Sequence, residues 1–346
     1  MQRILIIGAG ISATAIVTEL VKNISASSKT TPVEITLAEK SRGFGGRMAT
    51  RRSAPFEFDH GAQFFTARST AFQQFVDKGI ENGSIVEWQA RVATFEPGNK
   101  LDPQNWPVPH YVATPTMSSL CKHTLNTLAE QGIINLLLQT EVTELCRLTS
   151  AEGDYWKAMS EHNPIGDFDL VISTAPSQQT EALFANANFS DMPSLLSTSH
   201  LPCFSLMIGL ERTPSLNFDL ALVKDSPISI IAQNSSKPRR DDSASLLIHS
   251  DNRWARNHWD ESTTAIQETL LIELQRITSI KQEDIAHIDI HRWRYAKTDS
   301  NAGKDFLFDR SLQLAACGDW CLGGRIEDAF LSGTRLGKAL STYIAG

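Results

Sequence analysis

The residues Gly8-Ala9-Gly10-Ile11-Ser12-Ala13 join a short apolar run, residues 3–7, to a segment of helical spacing. Each type suits one task. Gly8 permits a tight turn. Gly10 lets the backbone come close to a pyrophosphate. A helix starting at Ile11 would add unpaired N–H groups and a positive dipole end. The third position is Ala13, small enough for close helix–strand packing. Glu39 closes a second apolar run, 29 residues after Gly10, where a carboxylate can accept hydrogen bonds from ribose hydroxyls. An ordinary strand–helix–strand turn without a ligand is the competing reading. Strand, turn, helix, strand and acid occur here in order, which favours a dinucleotide.

These residues alone leave NAD and FAD open. Gly43, Gly45, Gly46 and Arg47 form a second flexible loop directly after the acid. Such a loop can wrap a diphosphate from its other side, with Arg47 giving a charge-assisted hydrogen bond. Arg51 and Arg52 read as a solvated basic turn. About 300 residues later Gly318-Asp319-Trp320 follows a strand-like run and precedes a long helical pattern. Asp319 can accept from ribityl hydroxyls. The helix after Gly324 can aim its amides at the edge of a flavin ring that gains negative charge on reduction. Ser332 and Gly333 lie inside that helix, and Gly333 is small enough to pack against the first strand–helix–strand unit.

The elements that must position these residues follow from periodicity. Residues 3–7 and 33–38 read as buried parallel strands, and 11–21 as a helix burying Ile11, Ala15, Ile16 and Leu20. The polar stretch 23–32 reads as a solvent loop. Helical spacing returns at 68–80; 87–95 alternates like a strand; 96–111, rich in Pro, Asn and Gly, reads as a loop. Thr116 is a candidate N-cap for the next helix, with Leu120, Leu125 and Leu128 on one side. Residues 133–138 and 170–173 read as strands that return to the first domain. Between 203 and 295 several strand-like runs and one helix, 263–276, suggest a second domain on a mixed sheet. In the last stretch 312–317 reads as a strand, 318–325 as a turn and 328–343 as a helix.

Composition sets bounds. A chain of 346 residues with 41% hydrophobic and 21% charged residues has the profile of a soluble two-domain protein. Its net charge of -7 and scattered Lys and Arg argue against a nucleic-acid surface. No run approaches the roughly 18 apolar residues of a membrane span. The start leads straight into a strand pattern, without signal-peptide features. The five cysteines are widely spread and form no CxxC pair, which fits free thiols in the cytoplasm. Cys317 and Cys321 read as inert thiols in preference to a redox pair or a flavin attachment point. No metal-ligand cluster stands out.

The run from Glu39 to Met48 (EKSRGFGGRM) resembles the FAD-binding amine oxidase superfamily. Its extension through Arg52, with Asp59-His60-Gly61-Ala62-Gln63-Phe64-Phe65-Thr66-Ala67-Arg68, resembles the renalase branch. The likeness continues in 234–242 (NSSKPRRDD), 291–296 (HRWRYA) and 317–333, and so covers essentially the whole chain. It implies an α/β protein: a Rossmann-like FAD-binding domain, discontinuous over 1–75, 113–175 and 303–346, plus a smaller α+β substrate domain with a mixed sheet over 76–112 and 176–302. It implies cofactor contacts from Ile11, Glu39, Gly46, Ala62, Gln63, Val142, Asp319 and Ile326, which join Gly8, Gly10 and Arg47 as read above and Lys40 beside the acid. It implies a substrate face of Phe64, Phe65, Thr66, Ala67, Arg68, Trp320 and Pro202, with 104–106 beside it. Strand alternation would send Phe64 and Phe65 to opposite faces, leaving one of them in the core.

The reaction implied by the resemblance is oxidation of misreduced NAD(P)H, the 2- and 6-dihydro isomers, to NAD(P)+. Oxygen then reoxidises the flavin and yields hydrogen peroxide. A dihydropyridine gives up hydride and leaves as an aromatic cation, so no catalytic base is required of the protein, and none is assigned. His60 and His291 are candidate acids or bases, His60 reading more readily as a structural hydrogen-bonder. The alternatives are an amine oxidase or desaturase of the same superfamily, with Trp293 and Tyr295 as its aromatic pair, and a non-catalytic flavin redox sensor.

Overall fold

The computed structural model describes residues 1–26, 32–97, 101–151, 153–161 and 163–345. Short apolar runs assemble a six-stranded sheet with β1 (Gln2–Ile7) at its interior. On one side lie β2 (Val33–Glu39) and then Ile134–Leu138. On the other lie Leu170–Ser173, Leu314–Ala316 and Leu307–Asp309. Every pairing is parallel except that of the last two strands, which is antiparallel. Ile4, Leu5 and Ile6 are fully buried, as an uninterrupted apolar run must be when a parallel strand is covered on both faces. Chain order reverses beside β1, between it and Leu170–Ser173, and such reversals open a crevice at the carboxyl ends of the strands.

The helix α1 (Ile11–Ala26) follows β1 directly and buries Ile11, Ala15, Ile16 and Leu20. The C-terminal helix Ile326–Ala345 packs along it. Ser12 Oγ donates to Ala329 O at 2.9 Å across this contact.

The chain divides into two compact units. The first comprises Met1–Gly46, Cys121–Ser199 and Thr298–Gly346; the second comprises Arg47–Leu120 and His200–Lys297. Residues 47–75 and 113–120 therefore lie in the second unit, and 176–199 and 298–302 in the first, a partition different from the sequence-based one. The reasons are local. The Asn234 Nδ2 hydrogen bond to Glu57 O at 3.0 Å and the paired backbones of Phe65 and Tyr111 tie the segment after Arg47 to the second unit. Helix Ser177–Phe184 is held in the first by the Ser173–Thr180 hydroxyl pair at 2.7 Å.

The second unit carries a seven-stranded mixed sheet. Its order is Ile285–Ser300, Ser199–Leu210, Ser245–Ser250, Ile228–Gln233, Leu220–Val223, Val92–Phe95 and Asp102–Gln104. Leu220–Val223 and Val92–Phe95 pair in parallel. Helix Thr263–Ile277 is capped by Ser262, which accepts from Ala265 N at 3.2 Å, and buries Ile266, Leu270 and Leu274.

Three expectations are corrected. The strand expected over 87–95 splits: Ile85–Glu87 pairs with Tyr111–Ala113, and Val92–Phe95 joins the large sheet. The loop expected over 96–111 contains the edge strand Asp102–Gln104; its residues 98–100 lie outside the described residues, as do 27–31 of the loop expected over 23–32. The helix expected from Thr116 begins at Ser119, whose N–H reaches Thr116 O at 3.1 Å. An antiparallel three-stranded sheet, Glu144–Ser150, Gly153–Ser160 and Asn163–Phe168, was not expected. Among the described residues no helix is long and apolar enough to cross a membrane.

Candidate cofactor site

In the first unit the two chain ends meet at one edge of one sheet. Gly8 and Gly10 follow the carboxyl end of β1, Glu39 ends β2, and Gly318 and Asp319 follow the parallel strand Leu314–Ala316. Gly8 has φ +105°, and a β-carbon there would stand 2.5 Å from Thr174 Oγ1, so only glycine fits this turn. Thr174 Oγ1 in turn donates to Ile7 O at 2.8 Å.

Gly10 differs. A β-carbon at Gly10 would meet nothing nearer than Gly45 O at 3.9 Å, and one at Gly46 nothing nearer than Gly10 Cα at 3.9 Å. Packing does not demand these bare α-carbons. They leave room above the first turn of α1, whose opening amides precede the Thr14 N to Gly10 O bond of 3.0 Å. The two glycine loops are joined by Gly45 N donating to Ala9 O at 2.9 Å. An anion such as a pyrophosphate suits this cradle.

Glu39 is buried and orders the cradle. Its Oε2 accepts from Ala9 N and its Oε1 from Ser41 N, both at 2.8 Å. A carboxylate has about four acceptor positions, so capacity remains for ribose hydroxyls. Thr140 N donates to Glu39 O at 2.9 Å and Gln139 N to Ser41 O at 3.1 Å, which brings the segment carrying half-buried Val142 alongside Glu39. Lys40 is exposed, 3.9 Å from the exposed Glu141.

Asp319 is buried and its Oδ2 accepts from Thr298 Oγ1 at 3.2 Å. The helix beginning at Ile326 carries Glu327 and Asp328 in its first turn, favourable at a positive dipole end. Asp328 already accepts from Arg325 N at 3.0 Å, a cap that spacing alone did not reveal. Ile326 is half-buried. Trp320 departs from expectation. It is fully buried in the first unit's core, and its indole N–H donates to Ala175 O at 3.0 Å, so the ring offers no face to a substrate. Cys317 and Cys321 are buried; burial pushes the Cys321 thiol up to about 12 and raises Cys317 as well. Neither is a thiolate near neutral pH.

In the second unit the segment 59–68 is built around a buried ion cluster. Asp59 Oδ1 accepts from Thr50 Oγ1 at 2.7 Å and Met117 N at 3.0 Å. Its Oδ2 accepts from Arg240 Nη2 at 2.7 Å, Arg240 Nε at 3.0 Å and Lys237 Nζ at 3.3 Å. Burial alone would raise this carboxyl. The two cations and the donors outweigh it and hold it at about 2. Sequence reasoning assigned Lys237, Arg240 and Asn234 no role, because a polar run between two apolar strands reads as solvated.

Gln63 is buried and its amide is committed internally: Nε2 donates to Asp59 O at 2.6 Å and Gly61 O at 2.9 Å, and Oε1 accepts from Lys237. Ala62 N donates to Arg47 O at 2.8 Å, so this turn positions half-buried Arg47 and Ala62 together. Phe65 exchanges two backbone hydrogen bonds with Tyr111 and is core, packed on Phe72. Phe64 faces the other way, against Trp106 (centroids 4.9 Å), His110 (4.7 Å) and Trp88 (6.5 Å). Thr66 and Ala67 are half-buried and Arg68 is exposed, just before helix Thr70–Glu81. Pro202 is buried within Ser199–Leu210, with its carbonyl accepting from Asn252 Nδ2 at 2.9 Å. His60 stacks on Trp293 (5.1 Å) and meets His291 edge-on (5.0 Å); burial, then the neighbouring His291 and Arg51, push it down to about 3.

Residues 6–78 match the family model of NAD(P)-binding Rossmann-like domains. The fold is similar to that of a cyclohexylamine oxidase from Brevibacterium oxydans IH-35A, with a TM-score of 0.74, 11% identity and 99% of each chain covered. It is similar to a protein from Exiguobacterium sp. 255-15 proposed to be a protoporphyrinogen oxidase, with a TM-score of 0.74, 14% identity and 99% of each chain covered. It is also similar to a putrescine oxidase redesigned in its cofactor binding, with a TM-score of 0.72, 11% identity and 99% of each chain covered. The chain shares the fold of these proteins.

Proposed function

We propose that this chain is an FAD-dependent oxidase that takes a hydride from 2- or 6-dihydro isomers of NAD(P)H, releasing NAD(P)+ and passing the electrons to oxygen as hydrogen peroxide. The observation that carries the cofactor is the meeting of Gly8, Gly10, Glu39 and Asp319 at the carboxyl edge of one parallel sheet. The open faces of Gly10 and Gly46 fit a diphosphate, and the spare acceptors of Glu39 fit a ribose. The proteins sharing the fold include ones named as oxidases of cyclohexylamine and putrescine, which agrees with oxidase chemistry.

When bound, the flavin supplies the hydride acceptor and the route of two electrons to oxygen. The chain's residues supply the rest. In the first unit Gly8, Gly10, Ile11 and Gly46 hold the diphosphate, Glu39, Lys40 and Val142 hold the adenosine, and Asp319 and Ile326 serve the ribityl and ring end; Arg47, Ala62 and Gln63 of the second unit are cofactor contacts on the sequence reading alone. Gln63 acts by fixing the turn, since its side chain is committed. Phe64, with Trp106 beside it, offers an aromatic surface for a nicotinamide, and exposed Arg68 a cation for phosphate. Loss of hydride leaves an aromatic pyridinium, so the donor gives no proton to a base.

The amine oxidase reading needs two rings framing an amine. Trp293 and Tyr295 lie on one face of Ile285–Ser300, but Trp293 stacks on His60 and donates to its carbonyl, and Tyr295 meets His200 edge-on. Aerobic turnover separates the readings. One hydrogen peroxide and one NAD(P)+ are expected per dihydropyridine consumed. Peroxide formed from an amine, with neither isomer consumed, would refute the proposal.

A further inference from the structure

Trp320 stands in the short helical turn Asp319–Cys321, and its ring is fully buried in the core of the first unit. A phenyl ring could serve that packing. What an indole adds is one N–H, which needs an acceptor when buried. It donates to Ala175 O at 3.0 Å. Gly318 makes this aim possible: a β-carbon there would stand 2.5 Å from the indole nitrogen and 2.8 Å from Cδ1. The accepting loop, 174–176, leaves the carboxyl end of Leu170–Ser173, beside the reversal of chain order next to β1. On its other side Thr174 donates twice to Ile7 O, from N at 2.9 Å and from Oγ1 at 2.8 Å. The same Oγ1 fills the space that a β-carbon at Gly8 would need. Cys317 N donates to Ser173 O at 3.0 Å at the foot of the loop. Thr180 Oγ1 is a second donor to Ala175 O, longer at 3.3 Å and shared with Ser173 Oγ. The loop is therefore held on one side by the glycine turn and on the other by Trp320. Every residue in this chain of contacts belongs to the first unit.

We propose that Trp320 is a positioning residue of the cofactor site: through Ala175 it ties the turn carrying Asp319 to the loop that braces Gly8, so that the ribityl end and the diphosphate end keep a fixed spacing. The inference rests on the FAD reading above. Asp319 is the chain neighbour of Trp320, and its carbonyl accepts from Leu322 N at 3.0 Å and Gly323 N at 2.8 Å. A turn bonded in this way moves as one piece, so loss of the indole bond displaces the carboxylate along with the ring. A substrate contact would need an exposed face, which this ring lacks. A core residue alone would need no donor, no glycine at 318 to clear it and no carbonyl at 175 to receive it. Fixed spacing matters because one ligand must meet both ends at once, and a cradle that must be ordered on binding holds its ligand less tightly.

The test uses the full-length protein, with Trp320→Phe, Thr174→Val and the double variant. The readouts are the FAD dissociation constant, the visible circular dichroism of bound flavin and the urea midpoint of the flavin-free chain. Trp320→Phe removes one donor while Thr180 still serves Ala175 O, and Thr174→Val removes one hydroxyl while the amide at 174 still serves Ile7 O. Each is expected to weaken FAD binding by about threefold to tenfold, the net worth of one hydrogen bond, and to alter the dichroism. Both act on one loop, so the double variant is expected to lose less than the product of the two single losses. Single variants with wild-type affinity and dichroism overturn the proposal, and so do losses that multiply. A lowered urea midpoint with affinity and dichroism unmoved makes Trp320 a core residue only, and overturns it. A raised KM for the dihydropyridine at unmoved FAD affinity makes Trp320 a substrate contact, and overturns it too. If Trp320→Phe does not fold, Gly318→Ala takes its place, since it keeps the indole and shifts its N–H: weakened FAD binding supports the brace, and wild-type affinity overturns it. A wild-type chain that takes up no FAD overturns the cofactor reading itself, an outcome distinct from unmoved variants on a loaded wild type.

Discussion

The bare α-carbon of Gly333 lies against the backbone of Ser12, where a β-carbon would stand 2.4 Å from the Ser12 carbonyl oxygen. Gly337 continues the contact one turn later, against Glu19 Cβ at 2.8 Å and Ile16 O at 3.2 Å. Gly333→Ala must move backbone, because the clash is not with the end of a flexible side chain. A loss of about 1–3 kcal/mol is expected in urea unfolding. An unchanged midpoint would show that the helices can separate freely.

Glu39 anchors the glycine turn through Ala9 N and has acceptors left over. Hydrogen bonds to a charged group contribute about 1.5–3 kcal/mol, so Glu39→Ala should weaken FAD affinity on the order of tenfold to a hundredfold. Asp319→Ala should likewise reduce FAD retention on gel filtration. Full occupancy in both variants would remove these carboxylates from the cofactor.

Much of this site is legible in the chain because it is local. Gly8, Gly10 and Glu39 report their roles through spacing within one strand–helix–strand unit, and the alternation of Phe64 and Phe65 sends one of them to the core. Trp320 was not legible: a tryptophan after a Gly-Asp turn reads alike whether it lines a pocket or fills a core. Lys237 and Asp59 are 178 residues apart, and no local pattern marks a lysine as buried. The sheet over 144–168 gives no clear signal because its first strand is mostly exposed and polar, without the apolar alternation of a half-buried strand.

Asp59 carries an acid-dependent part of the stability. Its folded value, about 2, lies below the ordinary 3.8. The contribution is therefore complete above about pH 4 and is lost as pH falls from there through about 2. Asp59→Asn leaves two buried cations without a carboxylate, at a cost of about 3–5 kcal/mol. Urea midpoints of wild type and variant should differ most at neutral pH and converge below pH ~4. A gap constant down to pH ~2 would contradict the ion cluster.

Cys317 and Cys321 are buried thiols raised by desolvation. The flavin is accordingly expected to be released on acid precipitation, and native protein to react slowly with a maleimide at both positions. Yellow, flavin-bearing precipitate would show a covalent bond.

The most direct measurement is anaerobic mixing of the purified FAD-loaded protein with 2-dihydroNAD and 6-dihydroNAD, followed by flavin absorbance at about 450 nm. Rapid bleaching by at least one isomer, with NAD+ formed in equal amount, is the predicted result. Bleaching by an amine alone, or by none of these donors, would contradict it.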